Sequence, residues 1–156
     1  MAVLMGVSGL ASAGEVPIHK VPKPVMETVT TRFKDAKVIG SAEEKAENGN
    51  TVYEVSLDRH GRNIDVTLTP TGSLVSIEQE IVFKELPAAV ASTLEKRYPK
   101  AKYKMVEEFY KMEKGKEVLA HYEALLMDAN KHALSVEVAA NGKVLNVEKK
   151  KSLEED

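Results

Sequence analysis

The chain has no cysteine and no tryptophan among its 156 residues. Disulfide bonds, thiolate zinc sites, iron–sulfur clusters and a cysteine nucleophile are thereby excluded. Aromatic residues make up 5%, too few to line a large aromatic cofactor pocket. A basic excess is also lacking: Lys plus Arg is 22 against 24 for Asp plus Glu, a net charge of -2. Nucleic-acid binding depends on cations that displace counterions, so no nucleic-acid partner is expected. No apolar run reaches the roughly 20 residues of a membrane-spanning helix, so no integral membrane segment is expected either.

Catalytic motifs are missing as well. The four histidines, His19, His60, His121 and His132, include no pair one helical turn apart and no His-Glu-x-x-His. There is no Gly-x-Ser-x-Gly elbow, phosphate loop or Gly-x-Gly-x-x-Gly fingerprint. Glu43-Glu44 and Glu107-Glu108 are paired carboxylates. Neighbours on a strand point to opposite faces, however, so neither pair can act on one substrate, and both read as solvated. The chain reads as a non-enzyme, with no cofactor and no metal.

Apolar residues make up 43% and charged residues 29%, the balance of a folded domain. Met1–Ala13 is uncharged and mostly small or apolar, and it closes on Ala11-Ser12-Ala13, the small-x-small pattern of signal-peptide cleavage. Residues 1–13 read as a signal peptide whose basic end is missing. Export places the mature chain in the periplasm or outside a bacterial cell.

The remainder reads as a repeat. At one constant offset Pro22, Val25, Thr28, Arg32, Ala36 and Lys37 face Pro87, Val90, Thr93, Arg97, Ala101 and Lys102, all identical. After a slip in a loop, Tyr53-Glu54 matches Tyr122-Glu123. Val66, Gly72 and Glu78 then match Val136, Gly142 and Glu148. Identity within elements and slips between them mark a duplicated unit.

Each copy opens with a helix. Pro22 and Pro87 stand where a first-turn proline is tolerated. Val25, Val29 and Phe33, and again Val90, Leu94 and Tyr98, form an apolar stripe at helical spacing. Pro99 stops the second helix. The period then changes to two: Tyr53, Val55 and Leu57, then Ile64, Val66 and Leu68, then Leu134, Val136 and Val138 alternate mainly with polar residues. Asn48-Gly49-Asn50, His60-Gly61, Thr71-Gly72, Lys114-Gly115 and Asn141-Gly142 supply the turns. The expected fold class is α+β, a tandem repeat of one helix followed by a roughly four-stranded antiparallel sheet. The repeats span residues 21–82 and 86–150. A unit of about 60 residues is marginal alone, so the copies share a core or form one continuous sheet. Ile81, Val82 and Phe83 are either the seam or an extension of the fourth strand.

These strands carry a resemblance. Tyr53-Glu54-Val55, Asp65-Val66 and Thr71-Gly72-Ser73-Leu74-Val75 resemble a PepSY-type repeat. So do Tyr122-Glu123, Val136-Glu137-Val138 and Asn141-Gly142-Lys143-Val144-Leu145, together with the helix from Leu86 to Ala101. Two such repeats behind an export signal are similar to the beta-lactamase-inhibitor-like, PepSY-like group of bacterial periplasmic proteins. The resemblance implies helix-plus-sheet repeats outside the cytoplasm and an inhibitor-like role in binding other proteins. It brings no catalytic residues. The inhibitor that names the group is braced by disulfides and uses aromatic-rich loops, and this chain departs from it in having no cysteine and few aromatics.

The second copy holds the candidate surface. Val106, Tyr110 and Met112 share one side of a strand, and Met105, Glu107 and Phe109 the other. In the next strand Leu119, His121, Glu123, Leu125 and Met127 lie opposite Val118, Ala120, Tyr122, Ala124 and Leu126. Both sides are more apolar than a half-wet sheet requires. The sheet is either covered on both faces or dimerised, or it exposes a contact patch. The candidate partner-binding residues are Tyr110, Met112, His121, Glu123 and Glu137, and the partner is an unidentified protein or peptide, with a homodimer as one form. A second reading is a sensor of a small molecule or divalent cation, with Asp65, Glu123 and Glu137 as oxygen ligands.

Overall fold

Two prolines set the two helices. Pro22 immediately precedes α1 (Lys23–Arg32), and Pro87 precedes α2 (Ala88–Arg97). Each fixes the backbone at a point where the missing N–H would have had no helical partner. The helices also end alike. The N–H of Phe33 donates to the carbonyl of Val29 and that of Tyr98 to Leu94, both at 2.9 Å, and Pro99 follows. These features belong to a computed structural model that describes residues 14–46 and 48–151. The proposed signal peptide, residues 1–13, lies outside the described residues.

The strands are β1 (Gly14–Glu15), β2 (Lys37–Lys45), β3 (Thr51–Arg59), β4 (Arg62–Leu68), β5 (Leu74–Ile81), β6 (Lys102–Glu113), β7 (Lys116–Met127), β8 (Ala133–Val138) and β9 (Val144–Lys150). They form a single nine-stranded antiparallel sheet in chain order. This corrects the expected fold class, a tandem repeat of one helix with its own roughly four-stranded sheet. There is one sheet, and it includes a strand from before the first repeat. Edge strands present unpaired N–H and C=O groups, and one sheet has half as many edges as two. β1 pairs with β2 through Gly14–Glu43 and Glu15–Ala42. Next to it, Val16 N–H donates to Ser41 O at 2.9 Å, and Ser41 Oγ donates to Val16 O at 2.5 Å.

The chain divides into two units. One holds the residues up to Gln79 together with Tyr110–Val118, and the other holds Glu80–Phe109 and the residues from Leu119 onward. In the first, Val25, Val29 and Phe33 pack on Val55, Leu57, Ile64, Val66, Leu68 and Ile77. In the second, Val90 and Leu94 pack on Val106, Tyr122, Ala124, Leu126, Val136 and Val138, with Tyr98 at the margin. Each fully buried Val or Leu contributes about 1.5–3 kcal/mol relative to exposure. Strand alternation sends the intervening residues to the face that carries no helix.

Ile81 ends β5 and is buried in the second core. Val82 is exposed and precedes a short 3-10 turn, Phe83–Glu85. Phe83 rests on Tyr103, ring centroids 4.6 Å apart. Ile81 therefore extends the strand, and Phe83 has left it.

Candidate functional site

The antiparallel register assembles a polar patch on the helix-free face of the second unit. Glu123 on β7 lies opposite Glu137 on β8, which lies opposite Asn146 on β9. One step along, Leu125, Ser135 and Glu148 form the next row, then Met127, Ala133 and Lys150. The alternate residues Tyr122, Ala124, Leu126, Val136 and Val138 all lie in the helix-side core. These five aligned core residues thus fix where the carboxylates point, because a one-residue slip would bury them instead.

Ser135 Oγ donates a short hydrogen bond to Glu123 Oε1. Asn146 Nδ2 donates to Glu137 Oε1 at 3.4 Å, and Lys150 Nζ lies 3.6 Å from Glu148 Oε2. Burial pushes the Glu123 carboxyl above its ordinary value. The Ser135 hydrogen bond opposes that shift, Glu137 reinforces it, Lys150 opposes it and Glu148 reinforces it. Three carboxylates thus share a small area with one lysine, and one of them is desolvated.

An aromatic pair belongs to the same unit. The rings of Phe109 and His121 stack with centroids 4.6 Å apart and planes 6° from parallel. Phe109 is 3% exposed and Leu125 7%. Apolar groups are therefore buried on both faces of this sheet, as the composition of β6 and β7 suggested. Glu107, read from sequence as solvated, is 6% exposed. Alternation correctly gave its side of the strand but could not show how densely that side is covered.

The five residues picked from sequence divide between the units. His121, Glu123 and Glu137 belong to the second. Tyr110 and Met112 belong to the first, where Tyr110 packs against the hydrophobic core. The three oxygen ligands of the cation reading also divide: Asp65 lies in the first unit, and Glu123 and Glu137 in the second. Among the described residues no group of three or more histidines and carboxylates is arranged to hold a metal ion. His132 serves a turn instead. Its backbone N–H donates to Asp128 Oδ1 at 2.9 Å and its ring Nδ1 lies 3.1 Å from Asp128 Oδ2. The backbone hydrogen bond from His132, more than any other contact, holds Asp128 below its usual carboxylate range.

Sequence reasoning missed Ser135, Asn146, Glu148 and Lys150. The signal was available: all lie at the polar positions of β8 and β9, in the rows that Glu123 and Glu137 define. What was lacking was the pairing register.

A duplicated helix-and-strand pattern on one antiparallel sheet defines a two-repeat α+β architecture. The chain belongs to the family described as "Putative beta-lactamase-inhibitor-like, PepSY-like", whose model matches residues 11–76 and again residues 75–146. Solved structures share the fold. A "putative periplasmic" protein from Bacteroides eggerthii is 16% identical, with a TM-score of 0.66, over 83% of this chain and 88% of that one. A "BLIP-like protein" from Bacteroides fragilis is 12% identical, with a TM-score of 0.59, over 81% of this chain and 84% of that one. No curated protein matches the chain.

Proposed function

We propose that the protein is a noncatalytic binding module of the periplasm that holds a protein or peptide partner against the helix-free face of its second repeat. The observation that carries this reading is the patch of Glu123, Glu137 and Glu148 around Lys150, in the same unit as the stacked Phe109–His121 pair. Hydrogen-bonding groups set beside buried apolar ones are the composition of a contact surface. Family membership supports a binding role, since the family is described as inhibitor-like. Export is supported by the Ala11-Ser12-Ala13 pattern and by the periplasmic description of a protein with the same fold. No helix among the described residues is long and apolar enough to cross a membrane.

His121→Ala combined with Glu137→Lys tests the reading. Partner capture from periplasmic extract, followed by direct titration of the captured protein, should weaken at least about tenfold. The melting temperature should stay within a few degrees. Unchanged affinity would remove this face from the interaction.

A further inference from the structure

We propose that the outer edge of β9 pairs with the same edge of a second copy of this chain, antiparallel and centred on Val147. β9 (Val144–Lys150) is the last strand of the sheet, and among the described residues its one strand neighbour is β8. Alternate backbone N–H and C=O groups of an edge strand point away from that neighbour and form a template for a further strand. Two large apolar side chains stand exposed on the same strand: Leu145 is 49% exposed and Val147 39%. Leu145 is also the residue that β8 skips at a bulge.

The duplication supplies a comparison. Gly72 and Glu78 correspond to Gly142 and Glu148, so Val75 and Ile77 correspond to Leu145 and Val147. β5, which carries the first pair, is an interior strand of the sheet. There Val75 is half-buried and Ile77 is 5% exposed. The last strand of the repeat is thus flanked on both sides in the first repeat and on one side in the second.

The sequence of β9 selects a second copy and a register. Residues directly opposite in an antiparallel pair share a face, so each allowed pairing of β9 with itself sets one residue opposite its own equivalent. Centring on Glu148 or on Lys149 opposes like charges, which is destabilising. Centring on Val147, the middle residue, pairs the whole strand and opposes none. Val147 then meets Val147, Asn146 meets Glu148, and Leu145 meets Lys149. Lysines on an edge generally discourage pairing. Here antiparallel pairing carries Lys149 onto Leu145, where its methylene stem covers apolar surface. Seven residues bury less than a standard interface, so the dimer is reversible, with micromolar or weaker affinity. It uses the edge of the strand and leaves the helix-free face open, so it does not depend on the reading of that face.

Because the chain has no cysteine, introduced thiols report the register without background. Full-length Val147→Cys and Lys149→Cys are each oxidised with copper phenanthroline and run on a nonreducing gel. Opposed residues lie within disulfide reach, whereas two residues at position 149 lie roughly 14 Å apart in this register. Val147→Cys should give a disulfide dimer, and Lys149→Cys at least about tenfold less of it. A mixture of Asn146→Cys and Glu148→Cys chains should cross-link better than either chain alone, which keeps the test open if Val147→Cys folds poorly. Sedimentation equilibrium of the unaltered chain at roughly 10–500 µM should show monomer and dimer in exchange. Leu145→Lys opposes Lys149 with a like charge and should weaken the dimer at least about tenfold, and adding Lys149→Glu should restore it. Leu145 is exposed, so the melting temperature should stay within a few degrees. A monomer at every concentration, equal cross-linking from positions 147 and 149, or a dimer indifferent to Leu145→Lys would overturn the proposal.

Discussion

Thr93 Oγ1 donates a 2.7 Å hydrogen bond to the carbonyl oxygen of Gly142, and Thr28 Oγ1 donates one of 2.8 Å to Gly72. Each bond ties a helix to the turn before the last strand of its repeat. The glycines have φ of 87° and 85°, a left-handed conformation that few side chains tolerate. Space is lacking as well. A Cβ added at Gly142 would lie 2.7 Å from Ala89 O, and one at Gly72 2.5 Å from Pro24 O. Gly142→Ala should therefore cost about 1–3 kcal/mol, and Thr93→Val about 1 kcal/mol. Urea unfolding of both variants, with Gly72→Ala and Thr28→Val alongside, checks the duplication energetically.

Val136→Asp and Glu137→Lys test the register. Val136 is fully buried and Glu137 half-buried on the other face. The first substitution puts an unpaired charge in the core and should cost about 3–5 kcal/mol. The second should stay within about 0.5 kcal/mol. Reversed outcomes in thermal melts would mean that the strand is paired one residue out of step.

Tyr110→Ser should destabilise by about 2 kcal/mol or more, because the ring packs on the first core. Sequence alone made Tyr110 a contact residue whose loss would spare stability. The same melts distinguish the two outcomes.

The raised Glu123 pKa gives a pH dependence. Between the ordinary value of 4.5 and the higher folded value, the folded state holds more protons than the unfolded one. Stability therefore falls as pH rises through that window. The contribution of the protonated carboxyl is fully present below 4.5 and lost above the folded pKa. Glu123→Gln keeps an acceptor for Ser135 and removes the charge. It should flatten this part of the profile and be at least as stable as the wild type at pH 7. Melting temperatures from pH 4 to 8 measure it. A steeper fall in the variant would contradict the burial argument.

Much of the local structure was legible because it rests on local rules. Pro22 and Pro87, the Val25–Val29 and Val90–Leu94 spacings and the alternation around Val66 and Val136 each act within a few residues. The single sheet stood only as an alternative to a shared core, because nothing in the sequence of β5 or β6 says which strand lies beside it. Gly14-Glu15 is too short for any periodicity. The packing of Tyr110 on the first core was not legible, because its contacts lie with residues far away in sequence. In the candidate site, Glu123 and Glu137 could be named from one strand each, whereas Ser135, Glu148 and Lys150 required the register across β7, β8 and β9.

Photo-crosslinking tests the central claim most directly. A photoreactive residue replaces Asn146, exposed on the helix-free face of the second repeat, or Lys96, exposed on α2. Irradiation in the periplasm of living cells should give a discrete protein adduct from position 146 and none from position 96. An adduct only from position 96 would place the partner on the helix side and contradict the account.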